Sequence, residues 1–109
     1  MQWMKLCWFV PESHLEATKA AVFAAGAGKQ GNYEHCCFQS PGKGQFRPLA
    51  GSQPFIGATG RLEQVTEWRV ETLCAADCLP AVLAALRTAH PYEEPAIDVW
   101  RLEPATLSP

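Results

Sequence analysis

Between Trp3 and Val10 the chain carries apolar side chains with Lys5 as the only charge, and Pro11 closes the run. Read as a strand, the segment is apolar on both faces. Trp3, Cys7 and Phe9 point one way, and Met4, Leu6, Trp8 and Val10 the other, because successive side chains alternate. A continuous apolar strand of this kind marks a position covered from both sides. Whatever else the chain does, it must build a sheet around this segment and shield both of its faces.

The next segments show what is at hand to do so. Ser13, with Glu16 three residues on, predicts a capping box and a helix whose inner stripe is Leu15, Val22 and Phe23. Gly26 and Gly28 end that helix. Tyr33–Gln39 reads as a second strand, with Tyr33, His35 and Cys37 on one face. The stretch Ser40–Arg61 is rich in proline and glycine but also holds Phe46, Leu49, Phe55 and Ile56. It reads as an ordered excursion, of the length that usually carries function. Thr66–Leu73 alternates Trp68, Val70 and Thr72 against Glu67, Arg69 and Glu71, a half-buried strand. Asp77 is a plausible N-cap for a second helix to Ala89, with Pro80 in its first turn and Leu79, Val82, Leu83 and Leu86 at helical spacing. Ala96–Leu102 is a last strand, and Glu103–Pro109 a tail.

Strand, helix, strand, long loop, strand, helix, strand is the α+β ferredoxin-like order, β-α-β-β-α-β. Right-handed crossovers then give an antiparallel sheet with both helices on one face. A chain of 109 residues makes one domain of this, with its core over about residues 3–102. The other sheet face has no helix, yet the first and last strands are apolar there too, so the chain is expected to self-associate.

Composition narrows the function classes. Lys and Arg number 9 against 11 Asp and Glu, which leaves no basic excess for phosphates and argues against a nucleic-acid partner. Ala20–Ala27 is too short to span a bilayer and the first residues do not resemble a signal segment, so no membrane association is expected and the location is expected to be cytoplasmic. The 5 cysteines read as reduced thiols, without zinc-finger spacing.

Four segments in order carry a family resemblance: Gly26-Ala27-Gly28-Lys29-Gln30-Gly31-Asn32-Tyr33, Gly42-Lys43-Gly44-Gln45-Phe46-Arg47-Pro48, Pro54-Phe55-Ile56-Gly57 and His90-Pro91-Tyr92-Glu93-Glu94-Pro95. The chain resembles the YqfO-type domain, which is inserted into a dimetal-binding host in the larger NGG-interacting-factor-like proteins and also occurs alone. The resemblance implies a fold similar to PII signalling proteins and CutA, and a trimer. It implies no metal ligands, because those belong to the host domain. The loop residues by which PII proteins hold ATP and 2-oxoglutarate have no match here.

Two constellations could carry chemistry. His90, Glu93 and Glu94 offer a nitrogen and two carboxylates to a divalent metal ion; structurally, His90 would instead cap the second helix. His35 with Cys36 or Cys37 offers nitrogen and sulfur; structurally, His35 would be a half-buried strand residue. Gly42-Lys43-Gly44 reads as a turn, or as an anion cradle. The topology puts the long loop and His90 at one sheet end and His35 at the other. Glu93 and Glu94 should therefore lie against the loop and pair with Arg47 or Lys43. Tyr33, Lys43, Phe46, Arg47, Phe55 and Tyr92 are expected to line a cleft or partner loop there and at subunit boundaries. The leading reading is a non-enzymatic oligomer binding a small ligand, metal ion or protein. The alternatives are a metal-tolerance protein and a hydrolase, the latter without any visible triad.

Overall fold

The two-sided apolar segment becomes an interior strand. In the computed structural model, which describes residues 2–103, β1 (Trp3–Pro11) is followed by α1 (Leu15–Ala24), β2 (Cys37–Phe46), β3 (Glu63–Ala75), α2 (Leu79–Ala89) and β4 (Ile97–Arg101). The strands form one antiparallel sheet in the order β2-β3-β1-β4. This is the expected ferredoxin-like α+β architecture. Glu103 is described, but the rest of the expected tail, 104–109, lies outside the described residues.

One face of β1 makes the core. Leu6, Trp8 and Val10 pack with Val70 and Cys74 of β3, Leu15 and Val22 of α1, and Val82 and Leu86 of α2. Each such side chain contributes roughly 1.5–3 kcal/mol by leaving water. A polar residue is buried among them: the indole Nε1 of Trp8 donates to Thr18 Oγ1 at 3.0 Å. The Thr18 hydroxyl lies 2.9 Å from the carbonyls of His14, just before its helix, and of Leu15, the first residue of that helix. Thr18 thus supplies the partner a buried indole requires. The expected stripe named Phe23 where the helix actually buries Thr18.

Both helix starts differ from expectation. Short 3-10 turns, Glu12–His14 and Ala76–Cys78, precede the α-helices. They move Ser13 and Asp77 out of the N-cap positions, which His14 and Cys78 occupy without side-chain caps. Ser13 Oγ instead sits 2.8 Å from His14 Nδ1.

The larger correction concerns β2. It starts at Cys37, not Tyr33, because His35 holds a left-handed φ of 58° that interrupts extended backbone. It then continues through Ser40–Phe46, so Gly42-Lys43-Gly44 is neither a turn nor a cradle. Pro41 is tolerated because β2 is an edge strand, where an N–H facing outward has no ladder partner to lose. β1 pairs only with Glu67–Ala75 of β3, so Lys43–Phe46 and Glu63–Thr66 project as a two-stranded arm. From its tip the segment 47–62 folds back as an ordered loop, tied by Gly60 N–H to the Pro48 carbonyl at 2.7 Å.

The register sets Trp3, Lys5, Cys7 and Phe9 of β1 on the helix-free face, with Phe38 of β2, Arg69, Glu71 and Leu73 of β3, and Asp98 and Trp100 of β4. Cys7 is buried at its centre, while Phe38 is 67% exposed and Trp100 46%. Burial pushes the Cys7 thiol pKa up, against the smaller opposing pull of Arg69. Among the described residues no helix is long and apolar enough to cross a membrane.

Candidate functional site: a cleft between the arm, the long loop and the His90 segment

His90 anchors the site. Its N–H closes α2 onto the Leu86 carbonyl at 2.9 Å. Its ring Nε2 lies 2.7 Å from the Phe9 carbonyl, and Nδ1 accepts the Tyr92 N–H at 3.1 Å. A carbonyl on one nitrogen and an N–H on the other define the neutral tautomer with its proton on Nε2. Burial lowers the His90 pKa, opposed in part by the Phe9 carbonyl and by Glu67. Both ring nitrogens are committed, and they tie β1 to the turn after α2; the expected cap on the last helix carbonyls is not what the ring makes.

That turn delivers Tyr92 over the arm. The Tyr92 hydroxyl donates to Glu67 Oε2 at 2.9 Å, and burial together with this carboxylate pushes the phenol pKa well up. The Glu67 carboxylate lies against Gly44 of the facing strand, where a Cβ would collide with it. Gly44 is therefore the residue of closest approach: its bare backbone admits a side chain of this same protein, not a bound phosphate.

The long loop closes the other side. Gln53 N–H donates to Glu93 Oε2 at 2.6 Å. The Tyr92 ring stands between Phe46, at 6.2 Å and 54°, and Phe55, at 6.4 Å and 52°. His14, at the start of α1, meets Phe55 edge-on at 5.4 Å. Together these elements enclose a cavity of about 480 Å³, lined among others by Phe46, Arg47, Phe55, Glu67, Tyr92, Glu93 and Glu94.

Phe46, Arg47, Phe55, Tyr92, Glu93 and Glu94 are thus brought together, with His90 behind Tyr92, whereas Lys43, Tyr33, His35 and Cys37 are not. Lys43 lines a smaller depression of about 250 Å³ with Phe9 and Arg69. Cys37 pairs across from Thr72 and Phe46 from Glu63, at opposite ends of β2, roughly 30 Å apart at the strand rise. Tyr33 is 75% exposed. His35 stacks on Phe23 at 5.1 Å. His35 and Cys37 therefore do not join His90, Glu93 and Glu94 within one subunit. Among the described residues no three His, Cys, Asp or Glu side chains converge as a metal cage. Glu93 takes a backbone N–H, and the expected pairing of Glu93 or Glu94 with Arg47 or Lys43 is not among the ion pairs of the described residues.

Sequence reasoning missed Glu67, Gln53 and His14. Glu67 was visible only as one charge on an alternating strand. A sharper signal was the Gly42-Lys43-Gly44 spacing, since glycines on alternate strand positions leave one face open to a neighbour's side chain.

No protein-family model matches the chain. It is 49% identical over 96 residues, 88% of its length, to a protein of Mycobacterium leprae named GTP cyclohydrolase 1 type 2 homolog, of which it covers 25%. The chain thus spans about a quarter of the length of the curated relatives it matches. A solved Bacillus cereus protein related to NIF3 superposes with a TM-score of 0.82 and 44% identity, over 94% of this chain and 26% of that one. The Archaeoglobus fulgidus periplasmic divalent cation tolerance protein CutA superposes with a TM-score of 0.68 at 16% identity, over 94% and 86%. The first two likenesses make the chain homologous to one segment of longer NIF3-related proteins, and the third shows a shared CutA-like fold.

Proposed function

We propose that this chain, homologous to a quarter-length segment of the longer NIF3-related proteins, is a binding and assembly module and not a catalyst. It self-associates through its helix-free sheet face and presents the cleft beside Tyr92 to a ligand. The observation that carries this reading is the composition of that face: Phe38 and Trp100 stand exposed at its two edges, with Trp3, Phe9 and Leu73 between them in the register. Exposed aromatic side chains at both edges of a sheet face that no helix covers are most simply buried by another copy, with Lys5, Arg69, Glu71 and Asp98 as the polar part of that surface. Three copies is the number that the resemblance to PII and CutA proteins implies.

The cleft supports a binding role. Most groups that would serve as base or nucleophile are already engaged: His90 through both nitrogens, Tyr92 and Glu67 with each other, and Glu93 by Gln53. The relatives' name suggests hydrolytic chemistry on GTP, but the cleft sets Arg47 alone against Glu67, Glu93 and Glu94, a poor match for a triphosphate. Free thiols at all five cysteines accord with a reducing, cytoplasmic setting.

Light scattering at micromolar concentration tests the assembly. A mass near three times 12.0 kDa is expected, and a 12.0 kDa species would overturn it. Metal titration with elemental analysis tests the alternative of a metal-binding protein, for which a stoichiometric ion would have to be retained.

A further inference from the structure

We infer that the cleft beside Tyr92 receives the cationic head of a small organic amine, a substituted or methylated ammonium group. This deepens the reading of the cleft as a ligand site and rests on it. Three aromatic rings wall the cavity, with Tyr92 at 6.2 Å from Phe46 and 6.4 Å from Phe55. Tyr92 packs against each phenylalanine at a tilt of 54° and 52°, ordinary aromatic contact, and all three rings also border the cavity. The faces of such rings carry negative charge density and attract an ammonium group placed over them.

The charges around the rings agree. Glu67, Glu93 and Glu94 line the cavity against Arg47 alone, a formal excess of two negative charges. An anionic ligand would meet repulsion on three sides. A bare divalent ion would need converging oxygens, but Glu67 is held by Tyr92 and Glu93 by Gln53, and the carboxylates stand around the rings without meeting. The bond from the Tyr92 hydroxyl to the Glu67 carboxylate also pushes electron density into the phenol ring, which strengthens its attraction for a cation. The cavity volume of about 480 Å³ lies in the range that holds small molecules.

Three probes of one shape and different charge test this: choline, its neutral isostere 3,3-dimethylbutan-1-ol, and the anion 3,3-dimethylbutanoate. Each is titrated into the full chain while the ring resonances of Phe46, Phe55 and Tyr92 are followed by NMR. Choline should bind about tenfold tighter than the neutral isostere, and the anion weakest. Glu94→Gln should weaken choline, and Arg47→Gln should strengthen it. Equal binding of choline and the neutral isostere, or tighter binding of the anion, overturns the cationic assignment while leaving a ligand cleft in place. If no probe moves those resonances, both the assignment and the ligand-cleft reading fail. Because Arg47 and Glu94 are exposed, neither substitution threatens folding, and thermal melts of both variants check that.

Discussion

His90 shows how a residue that reads as chemistry is used for architecture. Its neutral ring bridges the Phe9 carbonyl and the Tyr92 N–H, and a proton on Nδ1 would break the second contact. Its folded pKa lies below the ordinary 6.5, so the unfolded chain binds the proton more readily. The stabilisation is complete above that ordinary value and is lost as pH falls through it toward the lowered one. The urea midpoint of the protein should therefore drop between about pH 7.5 and about pH 5.5, and that of His90→Gln should drop less. Parallel pH profiles would show that His90 is not the titrating group. Glu67, Tyr92 and Gly44 form a second coupled set. Gly44→Ala should push the Glu67 carboxylate off the Tyr92 hydroxyl and cost on the order of 1–2 kcal/mol, and Tyr92→Phe should cost about the same. Because both remove one contact, the double variant should fall short of their sum when measured by denaturation. Strict additivity would separate the two residues.

At the level of elements, β1 and α1 are joined by one polar contact through the core. Thr18→Val keeps the shape of the side chain but leaves the Trp8 indole N–H without an acceptor at zero exposure. It should lower stability by about 1–3 kcal/mol, whereas Thr18→Ser, which keeps the hydroxyl, should retain the Trp8 bond and lose only packing. Equal denaturation midpoints for Thr18→Val and the parent chain would make the bond dispensable. The elements whose apolar spacing is strong were legible in the sequence: β1, the two helices, β3 and β4. β2 was displaced toward the C-terminus because proline and glycine ordinarily punctuate a chain. Here Pro41 lies on an edge strand and Gly44 makes room for Glu67, and both facts depend on neighbours remote in sequence.

For the molecule as a whole, the overhanging arm of β2 and β3 gives extents of 48 × 24 × 23 Å, and the helix-free face leaves Phe38 and Trp100 in solvent. Phe38→Glu combined with Trp100→Glu should lower the mass seen by light scattering toward that of one chain, with little loss of the fold, since both side chains lie at the sheet edges. An unchanged oligomer would move the interface elsewhere, to the edges of β2 and β4 or to the loop 47–62.

Periodicity is a local property, and it determined β1, the helices, β3 and β4, the order of the elements and hence the ferredoxin-like sheet with one bare face, but not the bounds of β2. The same order placed the long loop and the His90 segment at one end of that sheet, which is where the cleft lies. Tertiary structure decided which groups meet inside it. Glu67 against Gly44, Glu93 on the Gln53 N–H and both nitrogens of His90 engaged are contacts between segments that no spacing rule relates. Each depends on the arm and the loop folding back over the sheet, a long-range closure that residue type and interval do not encode.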